Sequence, residues 1–226
     1  MVAPIKRFMP SDRIFTASAY VIVCMFALVI IYPVYYIIIA SVSDPIQVSA
    51  GRVFFWPKGF YLGAYANIFK DRRIGIGYMN SLIYTGFGSA ISVFATLGAG
   101  YALSRRKLIG RRAFTLFIIF TMYFNGGLIP TYLVVSKLGL LNTRAAMLLP
   151  SMVIPFNFII CMTFFKNTIP EELLDQAKID GASNIRTYWQ VVLPVSTAII
   201  AVLVLYYGVY NWNAYFSALI YLTDEK

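Results

Sequence analysis

The sequence predicts an all-α protein, a polytopic bundle of membrane-spanning helices. Of its 226 residues, 60% are hydrophobic and only 12% are charged, and the mean hydropathy is +0.73. A water-soluble domain of this length needs far more polar surface, whereas lipid hydrocarbon accepts apolar side chains directly. Long uncharged runs divide the chain, so we expect five spans.

Each predicted span comes from an uncharged run near the length of about 20 residues that a helix needs to cross a bilayer. The first run exceeds the apolar core of a signal peptide, so we expect it to remain as a span. The spans form one transmembrane domain over residues 14–226, behind an N-terminal segment of residues 1–13. They cover residues 14–40, 74–104, 113–136, 145–165 and a fifth stretch from near Pro194 to Thr223.

A short basic loop sets the predicted orientation. Residues 104–112, SRRKLIGRR, hold five Lys and Arg in nine positions, and short loops of this kind stay in the cytoplasm. With five spans, the N-terminus and residues 166–194 are then also cytoplasmic. The net charge of +10 reflects such loops, and no long basic stretch with interleaved aromatic residues predicts a nucleic-acid partner. We expect a multi-pass protein of the cell membrane, surrounded by lipid.

Enzyme chemistry, metals and cofactors are not expected. The chain has no His, the commonest general base and metal ligand. Cys24 and Cys161 both lie in apolar runs, as small buried hydrophobic residues do. No GxxxxGK[ST] phosphate-binding loop occurs, so any ATP hydrolysis must come from another chain. The five runs also lack an ionisable residue with which a secondary transporter could couple an ion gradient.

Two runs carry residues that affect helix packing. The second holds Gly86, Gly88, Gly98 and Gly100 and several hydroxyl residues, which allow helices to approach closely, so we expect this span at the centre of the bundle. In the third, Asn125–Gly127 and Pro130 weaken a regular helix. Either a packing kink or a break that lines a cavity would account for them.

The segment Thr168–Pro194, called here the polar segment, separates the last two runs and carries four of the nine acidic residues. A helix that begins at Pro170 would turn its charges away from one apolar face. That face holds Leu173, Leu174, Ala177 and Gly181. The pattern indicates either a surface for a soluble partner or a solvated connection between two spans.

Two local features follow from the order of residues in the polar segment. Asp175 and Lys178 can pair at i, i+3, and Gly181 permits a sharp turn or the close approach of another backbone. A second short helix from Ser183 would form an apolar stripe at helical spacing. The stripe consists of Ile185, Tyr188, Trp189 and Val192.

The residues of this segment also resemble a known motif. Residues 170–183, PEELLDQAKIDGAS, with Ile185 and Leu193–Pro194, resemble the EAA loop of ABC importer permeases, in the form of the binding-protein-dependent carbohydrate branch. The Glu-Ala-Ala triplet of the family falls on Asp175, Gln176 and Ala177. Asp keeps the charge of Glu on a shorter side chain, whereas Gln176 departs from the alanine of the family.

Further stretches are similar to the same family in the same order, over nearly the whole chain. The last two resemble a sub-branch that includes alginate and aldouronate importers. The stretches are Asn80–Leu82, Tyr101–Arg105, residues 124–133 (FNGGLIPTYL) and residues 210–216 (YNWNAYF). Family members typically have a sixth span, so the resemblance implies that this chain is truncated at its C-terminus.

The resemblance implies a permease subunit of an ATP-driven sugar or oligosaccharide importer. The expected partners are a second permease subunit, cytoplasmic ATP-binding subunits and an extracytoplasmic sugar-binding protein. Residues 166–194 would form the cytoplasmic loop that couples to the ATPase. Its expected contact residues are Glu171, Glu172, Asp175, Gln176, Ala177, Asp180 and Gly181. The alternative is a membrane scaffold or assembly subunit that docks a cytoplasmic protein without transport.

Five residues inside the predicted spans could line a sugar pathway. Sugars are bound by hydrogen-bonding side chains and flat aromatic faces, and polar groups at membrane depth usually face the bundle interior. Buried amides also bond one helix to another, and an indole also anchors the membrane interface, so both alternatives stay open. The candidates are Asn125, Asn157, Asn211, Trp212 and Asn213.

Overall fold

The computed structural model describes residues 10–223, and the side chains of residues 13–223. It is 76% helical, and the described part contains no strand beyond one isolated antiparallel bridge between Ser43 and Phe60. The all-α prediction is therefore confirmed. By contact density the chain divides into two compact units after Gly75, and each is described by itself.

Twelve α-helices follow one another within residues 10–223, with a π-helical turn and a 3-10 turn between the tenth and the eleventh. They are α1 Pro10–Ser41, α2 Pro45–Ser49, α3 Gly63–Lys70, α4 Arg72–Ser104, α5 Arg111–Tyr123, α6 Leu128–Lys137, α7 Arg144–Leu148, α8 Pro155–Thr168, α9 Glu171–Ile179, α10 Asn184–Thr187, the π turn Tyr188–Val192, the 3-10 turn Pro194–Ser196, α11 Thr197–Trp212 and α12 Tyr215–Tyr221.

Three helical stretches within residues 10–223 are long and apolar enough to cross a membrane, namely Arg13–Ser41, Arg72–Ser104 and Pro194–Trp212. The predicted third span is two helices, α5 and α6, bent by 119°. They meet at the predicted weak point, since Gly127 has φ +86°. This pair is a fourth span or a re-entrant loop by the same test.

The predicted fourth span is not one regular helix. It comprises α7 and α8, and a turn that contains Pro150 separates them. Pro155 then occupies the first turn of α8, the helical position that its missing N–H suits. At 14 residues, α8 is shorter than the roughly 20 that a straight span needs. The count of five spans stays a prediction.

In the first unit, the most apolar stretch of α1 has no buried residue. Cys24 is exposed there, so the prediction that it is buried is wrong: α1 presents its apolar side chains outward, where lipid would satisfy them. The connection after α1 folds back along the helix. The Tyr32 hydroxyl donates to the Phe54 carbonyl over 3.3 Å, and the Tyr35 hydroxyl donates to the Phe55 carbonyl.

In the second unit, one apolar cluster joins α4, α8, α9 and α11. The side chain of Phe165 is fully buried in it, beside Leu97, Leu174 and Leu203. The cluster positions the polar segment, because α9 contributes Leu174 to the same core as the long apolar helices. The polar segment is therefore packed against the bundle along one face.

The close packing of α4 against α8 depends on a glycine. A Cβ atom added at Gly100 would lie 2.8 Å from Cys161 Sγ, closer than real Cβ atoms come, and a tight 3.3 Å from the Met162 nitrogen. Cys161 is fully buried, as predicted. The expectation that small residues let the second span pack inside the bundle is confirmed at this contact.

Candidate functional site

The first helix of the polar segment forms as its sequence predicts. It begins at Glu171, directly after Pro170, and ends at Ile179. Glu171 and Glu172 lie in its first turn, where the helix dipole favours negative charge. Leu174 and Ala177 are buried, and Leu173 packs against the core. The predicted apolar face of α9 is confirmed at these three positions.

The polar candidates on α9 lie on its free face. The pair between Lys178 Nζ and Asp175 Oδ1 forms over 3.3 Å, which confirms the i, i+3 prediction. Both side chains are about half-exposed, so the pair contributes little to stability. Apart from the buried Ala177, the predicted contact residues are all exposed: Glu171, Glu172, Asp175, Gln176, Asp180 and Gly181.

Gly181 ends this helix through its backbone. Its φ is +76°, a conformation that side chains with a Cβ rarely adopt. A Cβ at this position would meet nothing within 4 Å. Of the two predicted roles, the sharp turn is confirmed. A close approach by another backbone is not observed within the described residues.

The second helix of the segment begins as predicted and then changes form. The Ser183 hydroxyl accepts a hydrogen bond from the Arg186 amide over 3.3 Å, and this caps α10. The π turn follows at Tyr188. Of the predicted apolar stripe, Val192 is fully buried, whereas Ile185 is 73% exposed. The buried residue of α10 is instead Thr187.

Arg105 joins the end of α4 to the end of α8, just before the polar segment; the sequence had marked it as an orientation signal and as part of a stretch similar to the family, without a structural role. Its Nη2 donates to the Phe165 carbonyl over 2.8 Å, and its Nε donates to Ser104 Oγ over 2.8 Å. The guanidinium carbon lies 5.1 Å from the ring centroid of Tyr101. Burial lowers the pKa of the Arg105 guanidinium, and Tyr101 and Glu171 oppose that shift.

A cavity of about 470 Å³ lies between the basic loop and the polar segment. Its wall includes Tyr101 and Leu108 on one side and Leu174 and Thr187 on the other. At its edge, Arg106 Nε and Glu171 Oε1 form an exposed ion pair over 3.5 Å. The basic loop and the polar segment therefore contact each other through a few side chains around this cavity.

The five candidates for a sugar pathway fall into different environments. Asn157 and Asn211 are buried, and Asn211 Nδ2 donates to Ser89 Oγ on α4 over 3.3 Å. This bond is the helix-to-helix alternative that the sequence left open. Asn125 accepts from the Gly127 amide over 2.9 Å, so it shapes the break between α5 and α6.

The other two candidates lie at the end of α11. Asn213 Nδ2 donates to the Val209 carbonyl over 2.8 Å, within its own helix end. Trp212 is 48% exposed. Both side chains are exposed, whereas Asn211 in the same run is buried.

A buried hydroxyl that the sequence did not single out connects three parts of the bundle. Tyr207 is fully buried. Its hydroxyl lies 2.6 Å from Thr96 Oγ1 on α4 and accepts from the Ile154 amide over 3.1 Å. The only sequence signal was a Tyr within an apolar run, which a buried phenol shares with an interfacial one.

Comparison with known proteins decides the family. Residues 96–225 match the family described as binding-protein-dependent transport system inner membrane component. The chain belongs to this family. The permease is similar to the polygalacturonan/rhamnogalacturonan transport system permease protein YtcP of Bacillus subtilis, with 40% identity over 95% of this chain and 74% of the relative.

Two further comparisons agree with this assignment. Protein LplC of Bacillus subtilis is 41% identical over 86% of the permease and 66% of its own length. A solved bacterial ABC transporter involved in the import of the acidic polysaccharide alginate matches with a TM-score of 0.91 and 34% identity. That match covers 99% of the permease and 79% of the solved chain. The predicted resemblance to carbohydrate ABC permeases, and to the alginate sub-branch, is confirmed.

Proposed function

We propose that this chain is one of two permease subunits of an ATP-driven oligosaccharide importer, and that its polar segment docks on a cytoplasmic ATPase. The family assignment supports the transport role. The observation that carries the docking role is the division of α9 into two faces. Leu174 and Ala177 fix it to the bundle, while its acidic face is exposed, with Glu171 in a solvated pair with Arg106.

The proposed mechanism follows from this attachment. ATP binding closes a pair of ATPase subunits, and the movement reaches α9 through its exposed residues. Because Leu174 shares a core with α4, α8 and α11, a displacement of α9 is passed to those helices. They then switch from an inward-facing to an outward-facing arrangement, and sugar delivered by an external binding protein enters. In the membrane orientation that we propose, the N-terminus and the polar segment lie in the cytoplasm.

The substrate class is proposed from the relatives. The solved neighbour imports the acidic polysaccharide alginate, and a curated relative is named for polygalacturonan and rhamnogalacturonan. We take acidic oligosaccharides as the first substrates to test, with a neutral oligosaccharide for comparison. Asn125, Asn157, Asn211, Trp212 and Asn213 remain the proposed pathway residues.

A charge reversal tests the docking proposal. Asp175→Lys should reduce recovery of the ATPase about tenfold when the assembled complex is purified, because it places a cation on the acidic face of α9. The matched control is Asp71→Lys, the same reversal on a residue predicted to lie outside the cell. It should leave ATPase recovery unchanged.

The same preparation separates transport from a scaffold role. A transporting complex should contain a second permease and hydrolyse ATP faster when binding protein and sugar are added. Equal ATPase recovery with Asp175→Lys and with wild type would contradict docking through this face. A complex that binds the ATPase but shows no sugar-dependent hydrolysis or uptake would favour the scaffold alternative.

A further inference from the structure

Arg105 lies where the polar segment is joined to the bundle. It follows the last residue of α4, and its side chain reaches the end of α8, sixty residues further along the chain. The guanidinium donates to Phe165 and to Ser104, each over 2.8 Å. A planar guanidinium can satisfy two acceptors and lie on an aromatic ring at once, which an ammonium cannot.

The acceptor on α8 is a carbonyl of the last helical turn. It also accepts from the Ile169 amide that caps the helix, over a long 3.4 Å, and a cation beside the last carbonyls of a helix is favoured by the helix dipole. Phe165 lies in that turn of α8, which ends at Thr168. Only Ile169 and Pro170 separate this turn from α9. Arg105 therefore fixes the point from which the polar segment starts.

The same turn of α4 also touches the far end of the polar segment. The Tyr101 ring lies 5.1 Å from the ring of Tyr188, in the π turn. It also packs edge-on against Phe165, with ring centroids 5.7 Å apart. Since Arg105 covers the Tyr101 ring, one cation orders the contacts at both the start and the end of the segment.

A cavity beside these contacts limits the ways in which α4 is joined to the polar segment. About 470 Å³ of space lies between the basic loop and α9 with α10. Empty volume provides no partner atoms, so on this side a displacement passes through the Arg105 contacts, while the core around Leu174 forms the apolar connection. The other connection at its edge, Arg106 with Glu171, is an exposed ion pair of small strength.

We propose that Arg105 is the positioning residue that makes α4 move together with the polar segment when the ATPase displaces α9. This role rests on the proposed function. The residue touches neither sugar nor nucleotide. It acts by holding the end of α8 and the Tyr101 ring, so its loss should separate ATP hydrolysis from movement of the bundle.

The test compares Arg105→Gln with Lys107→Gln in the complete importer reconstituted in vesicles. Both variants remove one cation from the same basic loop, but residue 107 is exposed. For Arg105→Gln we expect ATPase recovery and ATP hydrolysis near wild type, with sugar transported per ATP reduced about tenfold, as for loss of a charge-assisted hydrogen bond. Lys107→Gln should transport as wild type does. Arg105→Lys keeps the cation without the planar fork and should recover part of the loss.

Each outcome decides a different claim. Unchanged transport per ATP in Arg105→Gln, or the same reduction in Lys107→Gln, overturns the positioning role and leaves the proposed function standing. If Arg105→Gln does not assemble, the milder Arg105→Lys is measured in its place. Sugar transport per ATP equal to that of wild type in Arg105→Lys then overturns the proposal. If the wild-type chain itself brings down no ATPase, the proposed function fails before the variants are compared.

Discussion

The polar segment and the core beneath it use polar side chains in opposite ways. In the core, the Tyr207 hydroxyl is buried with partners on α4 and before α8. On α9, Asp175 and Lys178 are about half-exposed and pair with each other at the edge of the cavity. An unpaired polar group is costly where water is absent, so the core uses its hydroxyls to fix helix positions. The polar segment can leave its charges free for a partner.

The largest expected effect of this difference is at Tyr207. Tyr207→Phe removes the hydroxyl while keeping the ring, and leaves the buried Thr96 hydroxyl and the part-buried Ile154 amide without this partner. We expect the free energy of unfolding to fall by about 1–3 kcal/mol, measured by thermal unfolding of the purified chain in detergent.

Tyr206→Phe is the matched control, since Tyr206 is the neighbouring residue and is 42% exposed. Loss of the Tyr206 hydroxyl leaves no buried group without a partner, so the free energy of unfolding of Tyr206→Phe should stay near that of wild type. An equal change at positions 206 and 207 would show that the buried hydroxyl does not order the core.

An intermediate effect is expected at Gly181, where the backbone rather than a contact is constrained. Gly181→Ala should destabilise the chain by about 1 kcal/mol, because an L-residue is strained at positive φ. Gly181→Asn should cost less, since Asn tolerates that region. The same unfolding measurement ranks the two variants, and a tolerated Ala would mean that the turn relaxes to another conformation.

The smallest expected effect is at the exposed ion pair. Lys178→Ala should change the free energy of unfolding by about 0.5 kcal/mol or less, because water solvates both half-exposed charges whether or not they form a pair. A loss near that of Tyr207→Phe would contradict the distinction between the two regions. Denaturation of the variant beside wild type provides the comparison.

Local chemistry predicted much of this structure. Pro170 with Glu171 and Glu172 marked the start of α9, and Gly181 marked its end, because caps and turns depend on neighbouring residues. Asn125 to Gly127 likewise marked the break between α5 and α6. The confirmed fold class followed from composition, since only a lipid-embedded chain can present so much apolar surface.

What the sequence did not predict depends on distant partners or on a departure from regular helix. Arg105 and Tyr207 acquire their roles from Phe165 and Ile154, each more than fifty residues away. The spacing of a regular helix put Ile185 on one apolar stripe with Val192, but Val192 is buried and Ile185 is exposed. The π turn widens the helix at this point, so the regular spacing no longer applies.

The π turn Tyr188–Val192 also contains one residue more than an ordinary α-helical turn. The Leu193 amide donates to the Tyr188 carbonyl over 3.0 Å, a ring one residue larger than that of an α-helix. Loss of one residue between positions 188 and 192 would restore an ordinary α-turn without breaking the helix. Five residues of a π turn sweep about the same angle as four of an α-helix, so this deletion would leave the segments on either side close to their present orientation. A single deletion is therefore better tolerated here than in the regular helices nearby, where it rotates one side by about 100° relative to the other.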